Sequence, residues 1–326
     1  MSRWEHGLAI GKFRPPHKGH GLLIRTALAR VDRLTILVCA DASDPIPAQL
    51  RADWLRELHP SAQVRVVETT GHAPDDSSLW AELTLGWLGR APDVVFTSEP
   101  YGDGYARYLQ CAHVEVDIRR SQVPVAASQI LARPLAHLEW LEPCVRAYFV
   151  PRVVLVGAES TGKTTLARSL AAHYRTAWVP EYGRTYSEGM LGSHAGGWTT
   201  ADFVHIAEAQ QRLEDMLARH AHRVLICDTD AFATWLWHER YLRADAPTVR
   251  ALADARRYAL YVLTGDEIPW EDDGTRDRAD ERHWFQARFR AELESQGKPY
   301  IAVEGPLERR LAQATAFVDG LLTMAA

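Results

Sequence analysis

VVLVGAESTGKTTL, residues 153–166, decides how the rest of the chain is read. Gly157, Gly162, Lys163 and Thr164 satisfy G-x-x-x-x-G-K-[ST], behind an apolar strand-like run and ahead of a helix-forming one. At ordinary residue frequencies, a chance match in a chain of 326 residues has odds on the order of one in a hundred. Glycine opens backbone conformations closed to other residues, so successive N–H groups of Glu159, Ser160, Thr161, Gly162, Thr164 and Thr165 can turn toward phosphate oxygens. Lys163 is placed to reach the β- and γ-phosphates of ATP, Thr164 to hold Mg²⁺, and the following helix to offer its positive end.

A phosphate-binding loop normally follows the first strand of its domain. Its position near the middle of the chain predicts two domains, residues 1–148 and 149–326, of ordinary size. The composition, 47% hydrophobic and 24% charged, is that of a globular protein. No apolar run approaches 18 residues and residues 1–5 lack a leader pattern, so a cytoplasmic protein without membrane association is expected. The four cysteines are scattered without a C-x-x-C pair, as for reduced core thiols. A net charge of −5 argues against nucleic acid as the main partner. Homo-oligomer formation is left open.

In the first half, HGLAIG (6–11) reads as a buried strand, a helix is expected over about 19–29, and RLTILVCA (33–40) as a second strand. Strand, helix and strand imply a parallel sheet. Between the first strand and helix lies GKFRPPHKGH (11–20). His17 and His20 bracket a helix start, with Lys12 approaching from the strand end, an arrangement suited to a triphosphate whose α-phosphate is attacked. Two surface histidines capping a helix are the plainer alternative.

In the second half, TAWVP (176–180) is a strand followed by Glu181, a candidate base for a hydroxyl attacking the γ-phosphate; a salt bridge to Arg184 is the alternative. A long amphipathic helix is expected over about 201–220. RVLICDTD (223–230) is a buried strand delivering Asp228 to Mg²⁺ or its water shell, with Asp230 a candidate contact for substrate hydroxyls. ALYVLTGDEIPWEDDGTRD (259–277) is a strand followed by an acidic loop, and residues 141–152 read as the connection between domains.

GKFRPPHKGH, DPIPAQLRADWLRELHP (44–60) and DVVFTSEPYGDGYARYLQ (93–110), followed by the P-loop half, resemble the bifunctional NadR-type family. The resemblance implies an α/β protein with an N-terminal Rossmann-like H-x-G-H nucleotidyltransferase domain and a C-terminal P-loop kinase domain, both with parallel sheets. It implies that the second domain phosphorylates ribosylnicotinamide with Mg²⁺-ATP, and that the first adenylylates the nicotinamide mononucleotide to NAD. Gly11, Lys12, Phe13, His17, His20 and Ser128 are the nucleotide contacts it implies in the first domain. Arg276 would sit on a lid over the phosphates and Trp270 is a candidate to stack on the nicotinamide ring, with a solvated loop as the alternative for both. Trp80 and Trp87, seven apart on one side of an expected helix over 80–89, read as core residues, and one of them, Trp87, is a further stacking candidate. Some relatives carry a DNA-reading domain in front; five residues precede His6 here, so none is expected.

One stretch departs from the family. Its V-P-I-S-G-T-x-I-R pattern corresponds to VPVAASQIL (123–131), with Ala126, Ala127 and Ser128 in the central positions and Leu131 in place of the arginine. Leucine lacks the planar donor fork that grips phosphate. Arg119, Arg120 and Arg133 are the substitutes at hand. A kinase whose first domain is a weak or silent nucleotide-binding module is therefore the alternative. In the helix over 48–58, Leu50, Trp54, Leu55 and Leu58 make the core stripe and leave Arg51 and Arg56 facing outward; the resemblance implies that Arg51 is a phosphate or substrate contact, with a solvated face as the alternative.

Overall fold

A computed structural model of the chain describes residues 3–71, 76–190, 197–270 and 281–324. Two compact units divide it, Met1–Val145 and Arg146–Ala326.

The first unit runs β1 (Trp4–Gly11), α1 (Lys18–Leu28), β2 (Val31–Ala40), α2 (Ala48–Leu58), β3 (Gln63–Glu68), α3 (Ser77–Leu88), β4 (Val94–Thr97), α4 (Gly102–Leu109), β5 (Ala112–Glu115) and α5 (Ala127–Ala132). Its five strands are parallel, in the order β3-β2-β1-β4-β5. Parallel strands are covered on both faces, so their residues split by alternation. Leu34 and Ile36 of β2 join Ile24 and Phe96 in one core, while Leu37 and Cys39 join Leu8 and Tyr105 in the other. Strand order reverses between β1 and β4, and that reversal leaves a crevice at their carboxyl ends.

α2 corrects the expected orientation of Arg51. It is 0% exposed. Its guanidinium donates to Ile46 O at 3.0 Å, Cys39 O at 3.1 Å, Lys12 O and the carboxylate of Asp44 at 2.6 Å. Asp44 is itself buried and also accepts from Arg14. A helix stripe rule places hydrophobic residues but says nothing of a cation whose acceptors come from other segments. Arg56 does face solvent, paired with Asp53.

Helix α6 (Pro143–Phe149) occupies much of the stretch expected to be a plain connection. The second unit continues with β6 (Arg152–Val156), α7 (Lys163–Tyr174), β7 (Trp178–Val179), α8 (Tyr182–Met190), α9 (Thr200–Ala218), β8 (Leu225–Asp228), α10 (Ala231–Leu242), α11 (Pro247–Asp254), β9 (Leu260–Thr264), α12 (Arg282–Ser295), β10 (Tyr300–Val303) and α13 (Leu307–Met324). Its sheet is again five parallel strands, ordered β10-β9-β6-β8-β7. β6 is central, and its register against β8 pairs Leu155 with Asp228, so the end of β8 opens beside the P-loop. No described helix is long and apolar enough to cross a membrane.

Candidate functional sites

The P-loop of the second unit is shaped by backbone conformations that its sequence permits. Gly157 has φ +138° and Gly162 φ +79°. A Cβ on Gly157 would lie 2.9 Å from Thr264 Oγ1, so both conformation and space require glycine there. The loop is braced from behind. Gln286 on α12 accepts from Ala158 N at 2.9 Å, Arg282 donates to Ser160 O at 3.0 Å, and Arg310 on α13 donates to Thr161 O at 2.6 Å. These residues, distant in sequence, hold the loop open in advance of any ligand.

Lys163 is buried and donates to Gly157 O at 3.0 Å and Ala158 O at 2.7 Å. An ammonium has three hydrogens, so one is left for phosphate. Burial pulls its pKa down, opposed by the charges of Glu181, Asp228 and Glu159. Thr164 Oγ1 donates to Asp228 Oδ2 at 2.5 Å. The other oxygen, Oδ1, is buried without a protein partner among the described residues. Burial, and then the negative charge of Glu181, push the Asp228 carboxyl up. A carboxylate oxygen kept dry and unpaired beside a P-loop threonine is the donor set that a hard divalent cation satisfies, so the residues present fit Mg²⁺.

A cavity of about 170 Å³ lies over this loop, lined by Lys163, Thr164, Glu181 and Arg184 among others. Trp198, Phe203, Trp237 and Tyr241 also line it as an aromatic wall. Trp198 lies 5.7 Å from Tyr241 and 5.3 Å from Phe203, and Trp237 stands 6.0 Å from Tyr241 (ring centroids). Behind it, Arg240 stacks on Trp237 at 5.1 Å and pairs with the P-loop carboxylate of Glu159 at 3.0 Å. Sequence reasoning missed this wall. Trp237 and Tyr241, four apart on α10, were a legible helical pair, but nothing in the sequence marked them as facing the P-loop.

Two candidates are placed elsewhere. Asp230 is 0% exposed and does not line the cavity; it caps α10 by accepting from Ala233 N and also accepts from Tyr261 Oη, both at 2.9 Å. A side chain so occupied has no reach toward substrate hydroxyls, which corrects that expectation. Trp270 is half-buried and lies off the cavity lining. Arg276 falls outside the described residues.

In the first unit, α1 begins with a cap made of histidines. His17 Nδ1 accepts from Gly19 N at 3.1 Å, and His20 Nδ1 accepts from His17 N at 3.3 Å. A Cβ on Gly19 would meet the His17 ring at 2.8 Å, which explains the glycine between them. Because both Nδ1 atoms accept, each neutral ring carries its hydrogen on Nε2. Burial, and then the charge of Arg120, lower the His17 pKa to about 4; burial, His17 and Arg120 take His20 well below the usual imidazole range. The pair thus stands as two neutral donors with ring centroids 4.0 Å apart.

The crevice at the strand reversal is a cavity of about 380 Å³, lined by Gly11 at the end of β1, Lys12 and Phe13 of the loop that follows, His20 of α1, Ser128 of α5 and Trp80 of α3. Of the two tryptophans, Trp80 lines the cavity, and Trp87 packs 6.3 Å from it and off the lining. Spacing puts the two on one helix face but does not say which of them lines the crevice. Leu131 is half-buried and off the lining as well. Basic groups nevertheless surround the crevice: Lys12 and Arg14 line it, and Arg120 is close enough to depress both histidines.

Each unit thus presents the parts of a nucleotide-handling transferase, one with a histidine-capped crevice and the other with a P-loop. Comparison with known proteins narrows this class. A family described as an AAA domain matches residues 152–310. The trifunctional NAD biosynthesis/regulator protein NadR of Salmonella typhimurium LT2 is 30% identical over 291 residues, covering 83% of this chain and 71% of that one. Its counterpart in Escherichia coli K12 is 29% identical over 323 residues, covering 91% and 78%. A crystal structure of a NadR protein in complex with NR superposes with a TM-score of 0.79 at 20% identity, over 99% of this chain and 97% of that one, which shows a shared fold. The chain belongs to the NadR family.

Proposed function

We propose that the chain is a two-site enzyme of NAD biosynthesis. The second unit phosphorylates ribosylnicotinamide, and the first joins the resulting mononucleotide to the AMP portion of a second ATP, releasing pyrophosphate. The reading is supported most by the meeting of Lys163, Thr164, Asp228 and Glu181 at one cavity that also has an aromatic wall. Glu181 lines that cavity as the acceptor for the ribose hydroxyl proton. Thr164 and Asp228 are the residues that would hold Mg²⁺, which supplies charge neutralisation on the phosphates. Lys163 and the loop N–H groups bind the transferred phosphoryl, and Arg184 lines the same space. A flat cationic ring can stack on such an aromatic wall.

In the first unit, the two Nε2–H groups and the basic side chains receive the triphosphate, stabilising charge as the mononucleotide phosphate attacks the α-phosphorus and the bond to pyrophosphate breaks. Ser128 stands at the cavity where the family pattern has its hydroxyl. A second reading, in which this unit binds nucleotide without turning it over, is favoured by Leu131. Incubating the protein with ribosylnicotinamide and Mg²⁺-ATP, and following products by mass spectrometry, tests both. Mononucleotide followed by NAD is expected. Mononucleotide alone supports the second reading, and neither product overturns the kinase assignment.

A further inference from the structure

The crevice of the first unit contains a hydrogen-bond chain that adenylyl transfer as derived above does not use. Thr97, the last residue of β4, lines the cavity and is 3% exposed. Its Oγ1 lies 2.8 Å from His113 Nε2, on β5, and His113 Nδ1 lies 2.6 Å from Asp103 Oδ1, on α4. Three elements converge here only because residue 102 is glycine: a Cβ there would sit 2.2 Å from Thr97 Oγ1 and 2.4 Å from His113 Nε2.

The chain has a polarity. An ionised carboxylate can only accept, so the His113 hydrogen is on Nδ1, facing Asp103. In the neutral ring Nε2 is then the acceptor, and Thr97 supplies the hydrogen. The other acceptor near that hydroxyl, Glu99 O, is farther away at 3.4 Å. With its one hydrogen committed to His113, Thr97 meets the cavity as an acceptor. An acceptor at that point favours a ligand with an N–H donor and disfavours one presenting oxygen.

We propose that Thr97 is a specificity residue that reads an –NH₂ group on the bound nucleotide, and that His113 and Asp103 are positioning residues that fix its polarity. The proposal rests on the reading of this crevice as the nucleotide site. Two ligand groups have the required chemistry, the carboxamide of nicotinamide mononucleotide and the exocyclic amine of adenine.

The test compares four ligands at pH 8.5: nicotinamide against nicotinic acid mononucleotide, and ATP against inosine triphosphate. Binding is read by calorimetry and, where turnover occurs, kcat/KM by pyrophosphate release. Thr97→Val is expected to lower one preference on the order of tenfold, and the pair that changes names the group read. His113→Leu, which frees the hydroxyl to donate, should erode the same ratio with Thr97 in place, and Thr97→Ser should preserve it. Asp103, with a largely exposed side chain, gives a variant (Asp103→Ala) whose fold is not at stake, and the ratio should fall there too. Equal losses for all four ligands, or unchanged ratios in both Thr97→Val and Asp103→Ala, overturn the proposal. A wild-type chain that binds none of the four overturns the underlying nucleotide-site reading as well; wild-type binding with unmoved ratios overturns the proposal alone.

Discussion

Replacing Arg51 with methionine should loosen the first unit and leave the second untouched. The guanidinium is fully buried and donates to three backbone carbonyls and the Asp44 carboxylate. Two of those carbonyls, on Lys12 and Cys39, lie at the carboxyl ends of β1 and β2, where the crevice forms. Methionine fills much of the volume but leaves the carbonyls without this donor and Asp44 with Arg14 as its remaining cation. Removing one partner of a buried pair costs about 3–5 kcal/mol, because the charge left behind stays desolvated. Hydrogen exchange by mass spectrometry reads this locally. Peptides of β1 and β2 should exchange faster by roughly a hundredfold or more, given that each ~1.4 kcal/mol is a factor of ten. Peptides of β6 and β8 should be unchanged. Adding Asp44→Leu should recover part of the loss, since a buried pair can give way to apolar residues at little net cost. Protection in β1 and β2 that stays within threefold of wild type would refute the clamp.

Lys163→Met should cut phosphoryl transfer to ribosylnicotinamide by about a hundredfold or more while sparing pyrophosphate release from ATP and mononucleotide, each followed by product mass spectrometry. Trp237→Leu should raise KM for the nucleoside on the order of tenfold with little change in KM for ATP, as steady-state kinetics would read, because it strips one ring from the wall. The depressed His17 pKa sets a pH dependence. The folded ring resists protonation down to about 4 whereas an ordinary one protonates near 6.5. Its contribution is therefore complete above pH 6.5 and is lost as pH falls toward 4. Each such histidine adds a slope of up to about 1.4 kcal/mol per pH unit in that window. First-unit protection measured by hydrogen exchange should fall from pH 6.5 to 5 in wild type, and less steeply in His17→Asn.

Contiguity separates what could be read early from what could not. GAESTGKTT and GKFRPPHKGH each carry their geometry in a single stretch: a strand end, a loop whose glycines admit unusual backbone, and a helix start. Strand periodicity placed Asp228 at an edge, and the βαβ pattern implied a parallel sheet. These are local constraints, and the sequence by itself determined them. Tertiary structure decided which side chains from separate stretches meet. Arg51 turns inward because its acceptors come from β1, β2 and the segment before α2, and no helix periodicity counts carbonyls. Asp230 is withdrawn by Tyr261, 31 residues away, and of the two tryptophans on α3 it is Trp80 that lines the crevice. Thr97, His113 and Asp103 become one hydrogen-bond chain only when β4, α4 and β5 pack around Gly102. Phosphate binding needs backbone N–H groups that one loop can supply alone. Selecting among ligands needs side chains brought in from several elements, and their meeting is settled only when the sheet forms.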